Sequence, residues 1–327
     1  MKAINLYNYG TAETLQFNET LVPQINEDQV LVKVYAASVN HIDGLKASGA
    51  IQQIYPLQFP WIPGSDFSGK IEALGSKVTG FKVGDEVYGN SPTGGAYAEY
   101  VAANPNAISQ KPKSLSFIEA ASVPVVAGTA WQGLFKYAHL ISGQTILIHG
   151  GAGAVGAYAV QFAHQAGAKV IVTASGTDKA YLTSLGADEV IDYKTNTFES
   201  MVNDVDVVFD LVGGEVQKRS YSIIKKGGYL IATNQPVSEE DALKHKFSGI
   251  FMHHVPSSKD LSYFAELFDK GLLKADIAKV FSIEKTSEAW KALSLNLPGK
   301  ILPHTDKNYS WQDKKHGKIV LELFNSY

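Results

Sequence analysis

The chain has 327 residues, 45% hydrophobic and 19% charged, with a formal net charge of −3 and no cysteine. That length suits two domains better than one core, and the nearly balanced charge gives no reason to expect a nucleic-acid or membrane partner, so small-molecule ligands are expected. The absence of cysteine rules out disulfides and every metal site built on thiolates.

The N-terminal stretch "MKAINLYNYGTAETLQF" has no apolar run after a basic start, and no window is apolar for long enough to cross a bilayer, so a cytoplasmic location is expected. Residues 1 to about 120 carry short β-type runs, "QVLVKVYAASV", "DFSGKIEALG", "EVYG" and "AYAEYVAA", separated by Gly, Pro, Asn and Asp turns. They predict a mostly β region, a partly closed barrel. "SFIEAASVPVVAGTAWQGLFKYA" then has helical spacing. After it strand-type and helix-type runs alternate through "TILIHG", "AVGAYAVQFAHQAG", "KVIVTAS", "DKAYLTSLGA", "EVIDY", "DVVFDLVGG", "KRSYSIIKKG" and "GYLIATN". Such alternation predicts a parallel sheet covered by helices on both faces. A last strand "FSGIFMHHV" and an amphipathic stretch from Ser258 to Lys270 follow. The terminal "GKIVLELF" has the texture of the first third and is expected to fold back onto it.

Gly151, Gly153 and Gly156 satisfy G-x-G-x-x-G between a strand-type and a helix-type run. The first glycine permits a tight turn, the second lets a pyrophosphate approach the backbone, and the third lets the helix pack on the strand. Ala154 and Val155 lie at the helix N-terminus, whose free N–H groups favour an anion. An NAD-binding unit places an acid at the end of its second strand to accept the ribose hydroxyls. Here "VIVTAS" ends in Thr173, Ala174 and Ser175, so NADPH is the expected cofactor, with Ser175, Lys179 and Tyr193 placed to receive its 2′-phosphate. Asp178 is the opposing observation, since a long loop would let it take the acid's role.

With these motifs in place, the chain resembles the zinc-independent quinone oxidoreductase branch of the medium-chain dehydrogenase/reductase superfamily. The resemblance is carried by "AASVNHIDGLKASG", "FPWIPGSDFSGKIEALGSKVTGFKVGDEVYG", "GGAYAEYVAA", "SFIEAASVPVVAGTAWQGL", the glycine loop, "LGADEVIDY", "DVVFDLVGG" and "HGKIVLEL". It implies an α/β fold class, a GroES-like β domain plus a Rossmann doubly wound parallel-sheet domain, with cofactor and substrate in the cleft between them. The expected boundaries are 1–123 with 261–327 for the first and 124–260 for the second. Zinc-dependent relatives carry Cys, His and Glu where this chain has Asn40, Ser65 and Asp66, so no metal site is expected. Hydride transfer without a metal suits an acceptor that spreads charge by conjugation, a quinone or an α,β-unsaturated carbonyl.

The resemblance further implies that Asn40 and Asp43 line the floor by the nicotinamide, and that Thr129 and Val212 contact the cofactor. Asp43 could instead cap the short helix that follows, and Thr129 could be a plain buried residue. Enoyl-thioester reductases of this scaffold use a tyrosine soon after the Asn-x-x-Asp motif. Tyr55 is the nearest here, several residues late, so it is a candidate proton donor with water as the alternative. An enoyl-thioester or 2-alkenal reductase, and a non-catalytic NADPH-binding sensor or structural protein, remain open. The adjacent His253 and His254 are expected to point to opposite faces of a strand. The hydrophobic sheet edge at "GYLIATN" and "FSGIFMHH" suggests a homodimer. The stretch from Leu302 to His316 departs from the family pattern as an insertion of open role.

Overall fold

A computed structural model describes residues 1–293 and 316–324. The insertion at Leu302 to His316 lies outside the described residues, apart from His316 itself. The chain divides into two compact units, Met1–Val125 with Pro256–Tyr327, and Val126–Val255.

The first unit is built on strands whose side chains alternate between core and surface. In β3 (Val30–Ser38), Val30, Val32 and Val34 are fully buried while Leu31, Lys33 and Tyr35 are half-buried, the period of two that one covered face demands. Before it, β1 (Lys2–Asn5) and β2 (Gln16–Glu19) form an antiparallel pair. After it come the short helix α1 (His41–Ala47), β4 (Asp66–Leu74), β5 (Glu86–Asn90), β6 (Tyr100–Ala103), β7 (Ile108–Gln110) and α2 (Phe117–Ala121). β3 and β4 lie antiparallel with register shifts between Leu31 and Val32 and between Val34 and Ala36. Gly69 is needed there because a Cβ at that position would sit 2.0 Å from the Lys33 carbonyl oxygen. Phe67, Ile71, Val87, Tyr97, Ile108 and Trp290 fill the core.

The second unit begins within α3 (Pro124–Trp131), whose first residues belong to the first unit. It then alternates β8 (Thr145–His149), α4 (Ala154–Gln165), β9 (Lys169–Ala174), α5 (Lys179–Ser184), β10 (Glu189–Asp192), β11 (Val205–Asp210), α6 (Gly214–Ser220), β12 (Ile224–Ala232), α7 (Glu239–His245) and β13 (Ser248–Phe251). All six strands are parallel in the order β10-β9-β8-β11-β12-β13. This is the doubly wound order, and the direction of winding reverses between β8 and β11, where such sheets open a crevice at the strands' carboxyl ends. β8 and β11 are nearly continuous runs of buried residues, as central strands covered on both faces must be.

The remaining elements, α8 (Ser258–Asp269), β14 (Ile277–Ser282), α9 (Thr286–Ala292) and β15 (Lys318–Glu322), belong to the first unit. β15 pairs antiparallel with β3 and parallel with β14, so that among the described residues the first unit's sheet has seven strands, one of them β6, which pairs with β3 off the main order.

Three local features differ from what periodicity predicts. The helical run at 117–137 is broken, because α2 stops at Ala121 and Pro124 starts a new helix, and Gln132–Tyr137 then widens into a π turn. There the Gln132 carboxamide clamps Val255, donating to its carbonyl at 2.8 Å and accepting from its N–H at 3.1 Å. β12 begins at Ile224, earlier than "GYLIATN" suggests. His253 and His254 lie beyond the end of β13, so strand alternation does not govern them: the His253 ring packs on Phe251 and His254 abuts Gly128.

Gly156 is the glycine the fold can least spare. A Cβ there would fall 2.5 Å from the Gly150 carbonyl oxygen and 2.6 Å from Gly151 Cα, backbone atoms that cannot swing aside. Gly156→Ala is therefore expected to lower stability by about 1–3 kcal/mol, read as a lower denaturant midpoint with an unchanged slope.

Candidate active site

In the second unit, β8 hands the chain to α4 through Gly150, which turns at φ +76°. Gly151 follows, where a Cβ would meet Val172 Cγ1 at 2.0 Å, and Gly153 stands at the N-cap of α4 with no side chain to cap it. The first N–H groups of a twelve-residue helix therefore face outward at Ala154, Val155 and Gly156 without a side-chain acceptor from the cap. A Cβ on Gly153 itself would approach only the Gly150 carbonyl oxygen, at 3.3 Å. The cradle is thus closed to side chains on its protein side and open on its outer side, which fits a phosphate-bearing ligand. Val212, just past β11, packs against Gly150 and joins the same rim.

That rim is held by buried polar groups. Asp210 accepts hydrogen bonds from the N–H groups of Val212 and Gly213, both at 2.9 Å, and from the Gln217 carboxamide at 3.1 Å. Burial pushes its pKa up, against those hydrogen bonds. His149 is fully buried between Thr173 and Ser220, with one ring nitrogen 2.9 Å from each hydroxyl. Ser220 donates onward to the Val216 carbonyl, so it receives Nε2–H and leaves Nδ1 to accept from Thr173. Burial depresses the His149 pKa to about 3. The ring is a neutral strut between the two hydroxyls.

Ser175 follows β9, buried, with its hydroxyl 3.0 Å from that of Thr177. Lys179 opens α5 on the surface. Tyr193 is 58% exposed and its N–H donates to the Ala174 carbonyl, which places it beside Ser175. Ser175 and Tyr193 thus adjoin at the ends of β9 and β10, and Lys179 closes the 3-10 turn that follows β9, its N–H donating to the Gly176 carbonyl. Asp178 does not take the role of the missing acid: it is only 3% exposed, turned inward at the end of the 3-10 turn Gly176–Asp178. Thr129 is a buried residue of α3.

In the first unit, Asn40 is the N-cap of α1 and Asp43 is its third helical residue, accepting the Asn40 N–H at 3.0 Å. Asp43 is wholly buried and also accepts from Ser65 at 2.7 Å and Tyr97 at 3.1 Å. Asp66 is equally buried and is ringed by donors: the Asn40 and Asn90 carboxamides at 3.0 Å, the Ser38 hydroxyl at 3.1 Å and the Val125 N–H at 3.1 Å. Lys318 of β15, 6% exposed, completes the group by donating to the Val39 carbonyl at 2.5 Å and to Asn40 Oδ1 at 2.6 Å. Asn40 thus links an ammonium to a carboxylate through its two ends. Asp66 meets donors instead of further ligands, and among the described residues no three His, Cys, Asp or Glu side chains gather as a metal site. Tyr55 stands apart, half-buried, with the Lys46 ammonium 5.1 Å from its ring centre. Its hydroxyl makes no hydrogen bond among the described residues.

Sequence reasoning noticed Asn40, Asp43, Ser65 and Asp66 but missed Lys318, Tyr97 and Asn90, which tie them into one network. Burial pushes the Asp66 carboxyl up to about 6, opposed by the Lys318 charge and the two carboxamides. It also pushes the Lys318 ammonium down to about 8, opposed by Asp66 and Asp43. Since the folded state releases the Lys318 proton more easily than the unfolded chain, this group's contribution to stability grows as pH rises from about 8 to 10.5. It is lost as pH falls through 8. Denaturant titrations of the wild type and Lys318→Met across that window should show the wild type gaining on the variant with rising pH. Parallel profiles would mean that Lys318 titrates normally.

Comparison with known proteins follows these two arrangements. Residues 26–113 match the family described as "Alcohol dehydrogenase GroES-like domain", and residues 185–302 match "Zinc-binding dehydrogenase". The chain is 40% identical over 251 residues to the 2-methylene-furan-3-one reductase of Solanum lycopersicum, covering 73% of this chain and 63% of that protein. It is 36% identical over 250 residues to the chloroplastic NADPH-dependent alkenal/one oxidoreductase of Arabidopsis thaliana, covering 73% and 64%. These two relatives are therefore matched over just under two thirds of their length. The mouse quinone oxidoreductase is 31% identical over 308 residues, 88% of this chain and 92% of the relative. The solved quinone oxidoreductase of Coxiella burnetii superposes with a TM-score of 0.87 at 32% identity over 99% of both chains. With a doubly wound sheet, a β unit closed by its C-terminal strand and relatives matched over nearly their full length, the chain belongs to the medium-chain dehydrogenase/reductase superfamily, in its quinone oxidoreductase branch.

Proposed function

We propose that this protein is an NADPH-dependent reductase of quinones or α,β-unsaturated carbonyls that works without a metal. The observation that carries the reading is the glycine cradle at the head of α4, whose N-cap glycine makes no side-chain cap and whose Cβ position meets only one backbone oxygen among the described residues. The relatives named above for furanone, alkenal/one and quinone substrates support the acceptor class, since all three acceptors are conjugated. When bound, the nicotinamide supplies a hydride. Gly151, Gly153, Gly156 and the N–H groups of Ala154 and Val155 would hold the pyrophosphate, with Val212 and Thr129 bordering the cofactor. Ser175, Lys179 and Tyr193 would receive a 2′-phosphate, since β9 ends without an acid.

Asn40 and Asp43 act in this reading as positioning groups. Their polar atoms are committed to Lys318, Asp66, Ser65 and Tyr97, so they hold the end of β3 and the start of α1 rigid and offer no proton of their own. Tyr55 is different. Its hydroxyl, without a hydrogen-bond partner among the described residues, favours a second reading, in which an enone or enoyl thioester receives its proton from Tyr55, while a quinol is protonated by water. The remaining reading, a cofactor binder without turnover, has no observation in its favour.

No helix among the described residues is long and apolar enough to cross a membrane. Among the described residues β13 is an edge strand of its sheet, and on α7 nearby Leu243 is 79% exposed. A second copy of the chain is the proposed occupant.

NADPH consumption should be measured against quinones, 2-alkenals, cyclic enones and crotonyl thioesters. Turnover of quinones or enones is expected, and tight NADPH binding with no turnover across the panel would reject a reductase. Tyr55→Phe should slow enones or thioesters while sparing quinones. Equal loss on all acceptors, or none on any, would remove Tyr55 as a donor. Gly153→Ala should keep the wild-type melting temperature and weaken NADPH by roughly tenfold or more, since its methyl group fills the open side of the cradle.

A further inference from the structure

β9 ends without the acid that usually receives the adenosine ribose, yet a carboxylate reaches the same turn from the neighbouring strand. Asp192 is the last residue of β10 and lies in register with Ala174, the last residue of β9. Its Oδ1 accepts the Lys194 N–H at 3.0 Å. Its Oδ2 accepts no hydrogen bond among the described residues, and it leans over the β9 turn so closely that a Cβ on Gly176 would fall 2.5 Å from it. Gly176 does not have the positive φ that would demand glycine on backbone grounds. Its missing side chain is what leaves room for the Asp192 carboxylate.

The charges around this turn are mixed. Lys179 and Lys194 are exposed and make no ion pair among the described residues. Asp178 is turned into the protein, so Asp192, half-buried, is the carboxylate that the turn presents. A carboxylate oxygen in that place has two consequences of opposite sign: it accepts hydrogen bonds from vicinal ribose hydroxyls, and it repels a phosphate esterified at the 2′ oxygen.

We propose that Asp192 supplies from β10 the ribose-facing carboxylate that β9 lacks, and that it thereby limits the preference for NADPH and keeps NADH a usable cofactor. The proposal rests on the dinucleotide reading above and deepens it. Lys179, Ser175 and Tyr193 favour the 2′-phosphate, Asp192 opposes it, and cofactor choice is the balance between them.

The test compares wild type, Asp192→Asn and Gly176→Ala. NADPH and NADH binding are followed by nucleotide fluorescence, and 2′,5′-ADP and 5′-AMP binding by calorimetry, which reads the adenosine half alone. Asp192→Asn keeps the shape and the Oδ1 acceptor for Lys194 but removes the charge. It should raise the NADPH-to-NADH affinity ratio about tenfold, with 2′,5′-ADP gaining on 5′-AMP to a similar degree. Gly176→Ala must displace the carboxylate and should move the ratio the same way, so the test survives if one variant folds poorly. A ratio within about twofold of wild type in a variant that still binds both nucleotides would overturn the proposal and leave the dinucleotide reading intact. Wild-type protein that binds neither nucleotide nor 2′,5′-ADP would overturn that reading, and this proposal with it.

Discussion

An ammonium group buried almost completely must be surrounded by oxygen, and the first unit is arranged around that demand. Lys318 takes a carbonyl from the end of β3 and the carboxamide oxygen of Asn40. The same carboxamide donates to Asp66, and Asp66 in turn collects Ser38 from β3, Asn90 from the end of β5 and the Val125 N–H near the start of α3. A charge of one sign is thus neutralised through an amide by a charge of the other, and each member is fixed by bonds it cannot exchange without leaving a buried polar atom unpaired. Asp43 extends the arrangement to Ser65 and Tyr97. The positions that resemblance marks as zinc ligands in relatives are here part of a salt-linked polar core. Its cation is a lysine of the chain itself.

The second unit meets a different constraint with different means. Its loops must leave backbone N–H groups facing outward, which in a packed protein requires that everything behind them be satisfied. His149 stays neutral because burial forbids its charge, and it bonds Thr173 and Ser220 on either side. Asp210 ties down the two N–H groups of the next loop. The glycines contribute absence. Val172 stands in the space a side chain at position 151 would need, and Gly150 and Gly151 themselves stand in the space one at 156 would need.

How much of this could be read from the chain depended on whether the signal was local. The glycine loop was legible because its three glycines stand close together in the chain, between a strand-type and a helix-type run. The alternating strands and helices were legible for the same reason, and β15 stood out by its apolar pattern. Lys318 was not legible: it lies 278 residues from Asn40, and "GKIVL" marks a strand without saying that its lysine points inward. Asp178 stood as the opposing observation because it follows β9 in sequence, but the 3-10 turn carries it into the interior. Asp192 was passed over in favour of its neighbour Tyr193, since only the side-by-side register of β9 and β10 reveals what it faces. The π turn at Gln132–Tyr137 left no trace in the periodicity, and the partner of its first residue, Val255, lies at the far end of the same unit.

The lysine on β15 has a consequence for the order of events during synthesis. Ribosomes deliver the N-terminal strands first, and for most of the time the chain is being made, β3 and β4 exist without the strand that pairs with β3 at Ala36–Ser38. The Val39 carbonyl and the Asn40 carboxamide oxygen then have only water as a donor, and Asp66 has no counter-ion. The first unit therefore must wait, loosely formed, while the intervening residues 126–255 can complete their own parallel sheet from contacts contained within that stretch. Closing so long a loop is slow. The second unit is thus an insert within a split host, and its residues are all made before the host's last strand is.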